Sequence, residues 1–150
     1  GARRAQEFGD AHVLVGDRDH LLGEVLAGVG EPDAARAALQ QAVRLTLAGY
    51  GPEHSHTRRA EISLARLRAN EGAPDALLQL TAYGQSGSGD IEQRKAAWLA
   101  RAYAAEVECR TGSPTARASL DTVLTEMQLV LPEGGAIPRE VAAIRKACVR

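Results

Sequence analysis

This sequence is poor in aromatic residues and in cysteine, and neither sign of charge is in excess. Its 150 residues include one Trp, one Phe, three Tyr and two Cys, and the formal net charge is −1. General nucleic-acid binders usually carry a basic excess, so the near-neutral balance argues against that class. No apolar run approaches the length of about 18 residues that a membrane-spanning helix needs. The sequence therefore predicts no nucleic-acid partner and no contact with a membrane.

The two cysteines, Cys109 and Cys148, are too few and too far apart to indicate a disulfide framework. Each lies in an apolar helical context, which favours a small buried thiol. We therefore expect a reduced, cytoplasmic protein. The chain begins Gly1-Ala2 without Met or a signal peptide, so we also expect an excised piece of a longer chain.

Helix-forming residues dominate what is present. The chain has 28 Ala and 17 Leu, against 10 Val and 4 Ile. This balance favours helices over a β-sandwich or a β-barrel. The fold class that we expect is all-α, with about seven helices in a single domain.

Three short segments repeat the pattern Gly-x-Pro-(Asp/Thr)-Ala at nearly equal spacing. They begin at Gly30, Gly72 and Gly112, which are 42 and 40 residues apart. A glycine in the left-handed conformation ends a helix at low cost, and a proline fits the first turn of the next helix. The recurrence therefore predicts a helix, a tight turn and an antiparallel helix, three times over.

Local patterns also predict where individual helices begin and end. Separate helices are expected at 3–15 and at 17–29. Ser55 or Thr57 is the expected cap of the next helix, and Asp90 is the expected cap of a helix over 91–110. The last helix is expected over 139–149, after Pro138.

The chain resembles the tetratricopeptide repeat in its long, kinesin-light-chain-like form. The segment Leu47–Ser55 is similar to the Gly-Pro-Glu-His-Pro link of that form, with Ser55 in place of the last Pro. Leu22-Gly23 and Leu64-Ala65 match the family's pair of a large and a small residue, where the small residue lets the partner helix approach closely. The resemblance implies an α-solenoid, in which antiparallel helix pairs form a right-handed superhelical stack. It divides the domain, residues 1–150, into a truncated repeat's second helix (1–15), three repeats (16–50, 51–88 and 89–133) and a terminal capping helix (134–150).

In a tetratricopeptide array, the first helix of each pair lines a concave groove. The resemblance implies that a protein or peptide segment binds there, with Leu99 and Ala102 on the same face as the predicted contacts. Those contacts are His20, Glu24, Arg59, Ile62, Arg66, Asn70, Glu106 and Arg110. Arginine forks can hold the carboxylates or phosphates of an acidic or phosphorylated segment. The alternative is that these residues form ordinary solvated helix faces with local ion pairs.

Four features that could suggest a catalytic or ligand-binding site are better explained without one. His54 and His56 have only Glu53 nearby as a further metal ligand, so a linking loop is the favoured interpretation. The segment 84–89 lacks the Gly-Lys-Ser/Thr of a phosphate-binding loop. Cys109 has no activating His–carboxylate pair nearby in sequence, and Trp98 is more typical of a packing anchor than of a ligand platform. We therefore predict no catalysis, no cofactor and no metal.

These expectations favour a non-catalytic protein-interaction module or scaffold. The repeats resemble the region that follows the kinase domain in bacterial eukaryotic-like serine/threonine kinases, which implies a C-terminal fragment of a larger signalling protein. The sequence itself contains no kinase motif. The alternative is the sensor or oligomerisation region of a bacterial transcription regulator, and a fragment of a helical hydrolase-like enzyme ranks third. The partner and the oligomeric state stay open.

Overall fold

The computed structural model describes the backbone of residues 2–86 and 89–148 and the side chains from residue 12 onward within those ranges. Seven helices and no strand occur in this part of the chain, which confirms the all-α class. The helices are α1 (Ala2–Gly28), α2 (Pro32–Tyr50), α3 (Ser55–Asn70), α4 (Pro74–Gln85), α5 (Ile91–Arg110), α6 (Ala116–Val130) and α7 (Ala136–Ala147). The solenoid arrangement stays a prediction. Among the described residues, no helix combines the length and apolarity that crossing a membrane requires.

The chain is organised in two compact units, residues 1–67 and 68–150. In the first unit, α1 packs along α2. In the second unit, α5 packs against α4, α6 and α7, and α6 also packs against α7. The single domain with the repeat boundaries given above stays a prediction.

The three repeated glycines end their helices as the sequence predicts. Gly30, Gly72 and Gly112 have φ angles of +82°, +94° and +86°, in the left-handed region. In each turn the amide after the glycine donates to the carbonyl five residues earlier, as in a Schellman motif. These bonds run from Glu31 N to Leu26 O, from Ala73 N to Arg68 O and from Ser113 N to Glu108 O.

The prolines of the repeated turns occupy two different positions relative to the helix that follows. Pro32 and Pro74 are the first residues of α2 and α4, where the missing N–H is not needed. The third turn differs, because α6 begins at Ala116, two residues after Pro114. The predicted helix start is therefore confirmed in two turns and shifted in the third.

The predicted break between 3–15 and 17–29 is wrong, because α1 continues without interruption through Gly16. A Cβ at Gly16 would lie 3.1 Å from Leu45 Cβ and 3.1 Å from Thr46 Cγ2 on α2. Gly16 therefore serves a close approach between two helices and does not end one. At the other terminus α7 begins at Ala136, earlier than expected, and its predicted end at Val149 lies outside the described residues.

The predicted caps can be compared with the structure at the first turns of α5 and α3. Asp90 caps α5 as predicted: its carboxylate accepts from Gln93 N at 2.9 Å, and Gln93 Oε1 accepts from Asp90 N at 3.3 Å. The caps predicted for α3 are wrong. Thr57 is fully buried, and its Oγ1 has no hydrogen-bond partner in the described part of the chain. Instead His54 Nδ1 accepts from His56 N at 3.1 Å, so an imidazole occupies the capping position.

Each unit has its own core. In the first unit, Ala35, Leu39 and Leu67 are buried together, and Leu26 and Leu64 pack against them. In the second unit, α5 is buried along most of its length, and α4, α6 and α7 supply the side chains that cover it. The largest of those buried side chains are Leu80, Leu120, Val123, Met127 and Val141. Trp98 is 4% exposed and its Nε1 donates to Glu126 at 3.2 Å, so it is a packing anchor as predicted.

The expectation of two reduced thiols is wrong, because Cys109 and Cys148 form a disulfide. Their Cα atoms are 5.8 Å apart, although 39 residues separate them in the sequence. The fold brings the last turn of α5 beside the residue that follows α7. Disulfides persist mainly in oxidising compartments, so the basis for expecting a cytoplasmic protein is lost.

Candidate functional site

Four of the predicted contact residues come together in the first unit around one carboxylate. His20 and Glu24 lie one turn apart on α1, and His20 Nε2 is 2.7 Å from Glu24 Oε1. The same imidazole nitrogen is 2.8 Å from Ser63 Oγ on α3. Arg59 and Arg66 lie two turns apart on α3, and the positive charge of each acts on Glu24.

The electrostatics of Glu24 reflect these neighbours. Burial raises the pKa of this carboxyl, but the hydrogen bond with His20 and the charges of His20, Arg59 and Arg66 lower it by more. The net result is a pKa below the ordinary value for glutamic acid. Glu24 is therefore held as a carboxylate at neutral pH.

A cavity of about 260 Å³ opens beside this cluster, lined by Asp17, His20, Leu21, Glu24, His56 and Arg59. We call it the first-unit cavity. Pockets for drug-sized ligands and cofactors usually measure about 300–1,000 Å³. The first-unit cavity lies just below that range, and it is large enough for a side chain of a partner protein.

Asp17 is hydrogen-bonded by Tyr50 and His56, which the sequence analysis did not include among the predicted contact residues. Tyr50 OH donates to Asp17 Oδ2 at 2.8 Å, and His56 Nδ1 lies 3.2 Å from Asp17 Oδ1. The Tyr50 ring stacks on His54 with 4.1 Å between ring centroids, and it meets His56 edge-on. The two carboxylates at the cavity, those of Asp17 and Glu24, thus already have protein partners.

Arg59 differs from these carboxylates because one of its hydrogen-bond donors has no partner among the described residues. Arg59 lines the first-unit cavity, and its Nε is buried and has no hydrogen-bond partner within the part of the chain that the structure describes. An unpaired buried donor costs about 1–3 kcal/mol. Arg59 is therefore a side chain at this cavity whose Nε–H lacks an acceptor among the described residues.

Three residues that the sequence analysis placed on the groove face are buried in the structure. Ile62 is 1% exposed, Leu99 is 4% exposed and Ala102 is fully buried. Ile62 lies about 60° around α3 from Arg59 and about 40° from Arg66, at the side of their common face that is buried. These three residues stabilise the fold and do not form a ligand surface.

The remaining predicted residues gather in the second unit. Asn70, Glu106 and Arg110 line a cavity of about 260 Å³, and the disulfide forms part of its wall. Arg110 donates a hydrogen bond to Asn70 Oδ1. We call this the disulfide cavity. The predicted contacts therefore divide between two cavities, one in each unit.

The described residues contain no group of three or more His, Cys, Asp or Glu side chains arranged to hold a metal ion. Gly84, the start of the segment considered as a loop, is instead a buried residue of α4. A Cβ at Gly84 would lie 2.5 Å from Arg101 Cγ, so this glycine serves packing between α4 and α5. Two residues of the segment, Gly87 and Ser88, lie outside the described residues.

Comparison with known proteins assigns no family. No family model, no curated protein and no solved structure matches this chain. The resemblance to the tetratricopeptide repeat therefore rests on the sequence motifs alone, and the function has to be argued from the two cavities and the surfaces beside them.

Proposed function

We propose that this chain is a non-catalytic protein-interaction module, and that it binds an acidic segment of a partner protein in the first-unit cavity. One observation carries the proposal: Arg59 is a half-buried residue that lines the cavity, and its Nε has no hydrogen-bond partner among the described residues. A carboxylate or phosphate of the partner binds this guanidinium, and a shift of the side chain toward the ligand brings the buried Nε within reach of an acceptor. Arginine binds such groups through two parallel N–H donors, which gives both affinity and orientation.

The other charged groups of the cavity are compatible with an acidic ligand. Asp17 accepts from Tyr50, and Glu24 is bonded to His20, so both negative charges are partly compensated within the protein. Arg66 adds a second positive charge close to Glu24. Arg59 and Arg66 are about 10 Å apart along the helix axis, a spacing that suits two charges on an extended peptide.

An exposed apolar stripe on α1 continues from the cavity and extends the binding surface. Leu14, Leu21 and Val25 are 69%, 67% and 57% exposed, and their spacing places them on one face of the helix. Leu21 also lines the first-unit cavity. Exposed apolar patches of this kind are typical of protein-interaction sites. The ligand that fits best is a segment with an acidic residue next to apolar ones.

The proposal also covers the arrangement of the helix pairs and the larger protein to which the module belongs. The link at 47–55 and the three Gly-x-Pro turns support a tetratricopeptide-like stack of helix pairs. That stack provides extended surfaces for protein partners. We place the module in the C-terminal part of a larger bacterial signalling protein such as a serine/threonine kinase, since the repeats resemble those of that region.

The proposal is tested with fluorescein-labelled peptides of matched length, each with the same apolar residues. One peptide carries glutamates, one phosphoserines, one glutamines and one lysines at the same positions. We expect fluorescence anisotropy to show binding of the glutamate and phosphoserine peptides, and at least about tenfold weaker binding of the glutamine peptide, or roughly 1.4 kcal/mol. Equal binding of the glutamate and glutamine peptides would refute recognition of an acidic segment.

A further inference from the structure

The disulfide joins the C-terminal end of α5 to the residue that follows α7. Cys109 is the second-last residue of α5, and Cys148 directly follows α7. Both half-cystines line the disulfide cavity beside Asn70 and Arg110. The bond therefore joins two helix ends at the edge of a space that a small molecule or side chain can enter.

The two half-cystine residues differ in exposure. Cys148 is 3% exposed, whereas Cys109 is half-buried. An attacking thiolate must approach a disulfide from outside along an open path, so it reaches Cys109 more readily. Arg110 lines the same cavity, so its positive charge favours the approach of an anionic thiolate.

We propose that the disulfide cavity is a thiol–disulfide exchange site, and that its substrate is a dithiol reductant. A thiolate of the reductant attacks Cys109 Sγ and forms a mixed disulfide, while the bond to Cys148 breaks and Cys148 leaves as a thiolate that takes a proton from water. The second thiol of the reductant loses its proton and attacks the mixed disulfide, which releases the Cys109 thiolate. The protein disulfide gains two electrons, and the reductant is oxidised to its own disulfide.

Reduction acts on the end of α7, which two other contacts among the described residues hold. Ile144 is buried, and Arg145 Nε donates to Asp121 at 2.6 Å. The earlier part of α7 is held more strongly by Val141, which is fully buried, and by the bond from Tyr103 OH to Glu140. Reduction therefore loosens the last turn of α7 and widens the disulfide cavity, while the start of the helix stays in place.

The first test treats the native oxidised chain with dithiothreitol, without denaturant, and counts free thiols by mass after alkylation. We expect two thiols, and their loss after treatment with oxidised glutathione. Hydrogen exchange of the amides at 144–148 should accelerate at least about tenfold on reduction, while the amides of α4 stay unchanged. Failure to reduce the bond without denaturant would overturn the proposal, as would unchanged exchange at 144–148 in the reduced protein.

A trapping experiment on the wild-type oxidised chain identifies the sulfur that is attacked. A monothiol, reduced glutathione, forms a mixed disulfide that acid quenches, and peptide mass mapping locates it. We expect at least about tenfold more adduct on Cys109 than on Cys148 at early times. A majority of the adduct on Cys148 would contradict attack at Cys109.

Discussion

Gly23 of α1 lies directly against Leu39 of α2. A Cβ at position 23 would be 2.6 Å from Leu39 Cγ and 2.7 Å from Leu39 Cδ2. Leu39 is 1% exposed and belongs to the core of the first unit, so its side chain has little room to move away. The small residue predicted from the Leu22-Gly23 pair is therefore a requirement of the α1–α2 crossing.

The first prediction follows from this contact. Gly23→Ala should lower the free energy of unfolding by about 1–3 kcal/mol, because overpacking of a core contact outweighs the better helix propensity of alanine. Urea denaturation followed by circular dichroism measures the change. Gly28→Ala is the matched control: nothing lies within 4 Å of a Cβ there, so a small gain in stability is expected. Equal effects of the two substitutions would contradict the close crossing.

The second prediction concerns the imidazole cap of α3. His54→Ala should cost about 0.5–2 kcal/mol, because His56 N loses its side-chain acceptor. His54→Asn retains a capping side chain but removes the stacking on Tyr50, so its cost separates the two roles. Ser55→Ala should have a much smaller effect. Thermal unfolding of the three variants provides the measurement, and a Ser55→Ala loss as large as that of His54→Ala would contradict the assignment.

The third prediction is a pH dependence that arises from Glu126. Arg101 donates to both oxygens of this carboxylate, at 2.6 and 3.3 Å. The hydrogen bond and charge of Arg101, with the Trp98 bond, lower the pKa of Glu126 below its usual 4.5, although burial opposes them. Because the folded-state pKa is depressed, the stabilisation is complete above the unfolded-state value and is lost as pH falls through the folded-state value.

The measurement for Glu126 is chemical denaturation between acidic and neutral pH. The wild-type free energy of unfolding should fall as pH drops below 4.5, and the fall should be shallower in Glu126→Gln. The side chain is 44% exposed, so solvent screening limits the difference to about 1 kcal/mol or less. Parallel curves for the two proteins would show that this ion pair does not contribute.

The sequence predicts the features that depend on local chemistry. Gly30 and its two counterparts end helices because a left-handed residue is needed within a few positions, and Asp90 caps α5 through the amide of Gln93. Gly16 shows the limit of this reasoning. A glycine can end a helix or allow a close approach, and only the position of α2 distinguishes the two.

The features that the sequence analysis missed depend on distant parts of the chain. The environment of Asp17 is built from Tyr50 and His56, which lie on other elements. The disulfide did leave a signal. Its separation of 39 residues is close to the 40-residue step between the second and third repeated turns, and the two cysteines lie at corresponding places, at the ends of α5 and α7.

The candidate site was predicted in part. Helical spacing correctly groups Arg59 with Arg66, because residues seven apart share a face. It does not reveal that Ile62, between them in sequence, turns into the core. Nor does it reveal that the predicted contacts divide between two cavities, because that depends on how each unit packs.

The central claim, that Arg59 anchors an acidic segment, is tested most directly by a double-mutant cycle between the protein and the glutamate peptide. Isothermal titration calorimetry gives the affinity of wild type, Arg59→Ala and Arg59→Ala/Arg66→Ala for the glutamate peptide and its glutamine counterpart. Arg44→Ala, which removes an exposed charge on α2 away from the cavity, is the control. We predict that Arg59→Ala weakens binding of the glutamate peptide at least about tenfold, or roughly 1.4 kcal/mol. Arg59→Ala should barely change binding of the glutamine peptide, and the double variant should lose more. Equal losses for the two peptides, or equal losses in Arg59→Ala and Arg44→Ala, would contradict the claim.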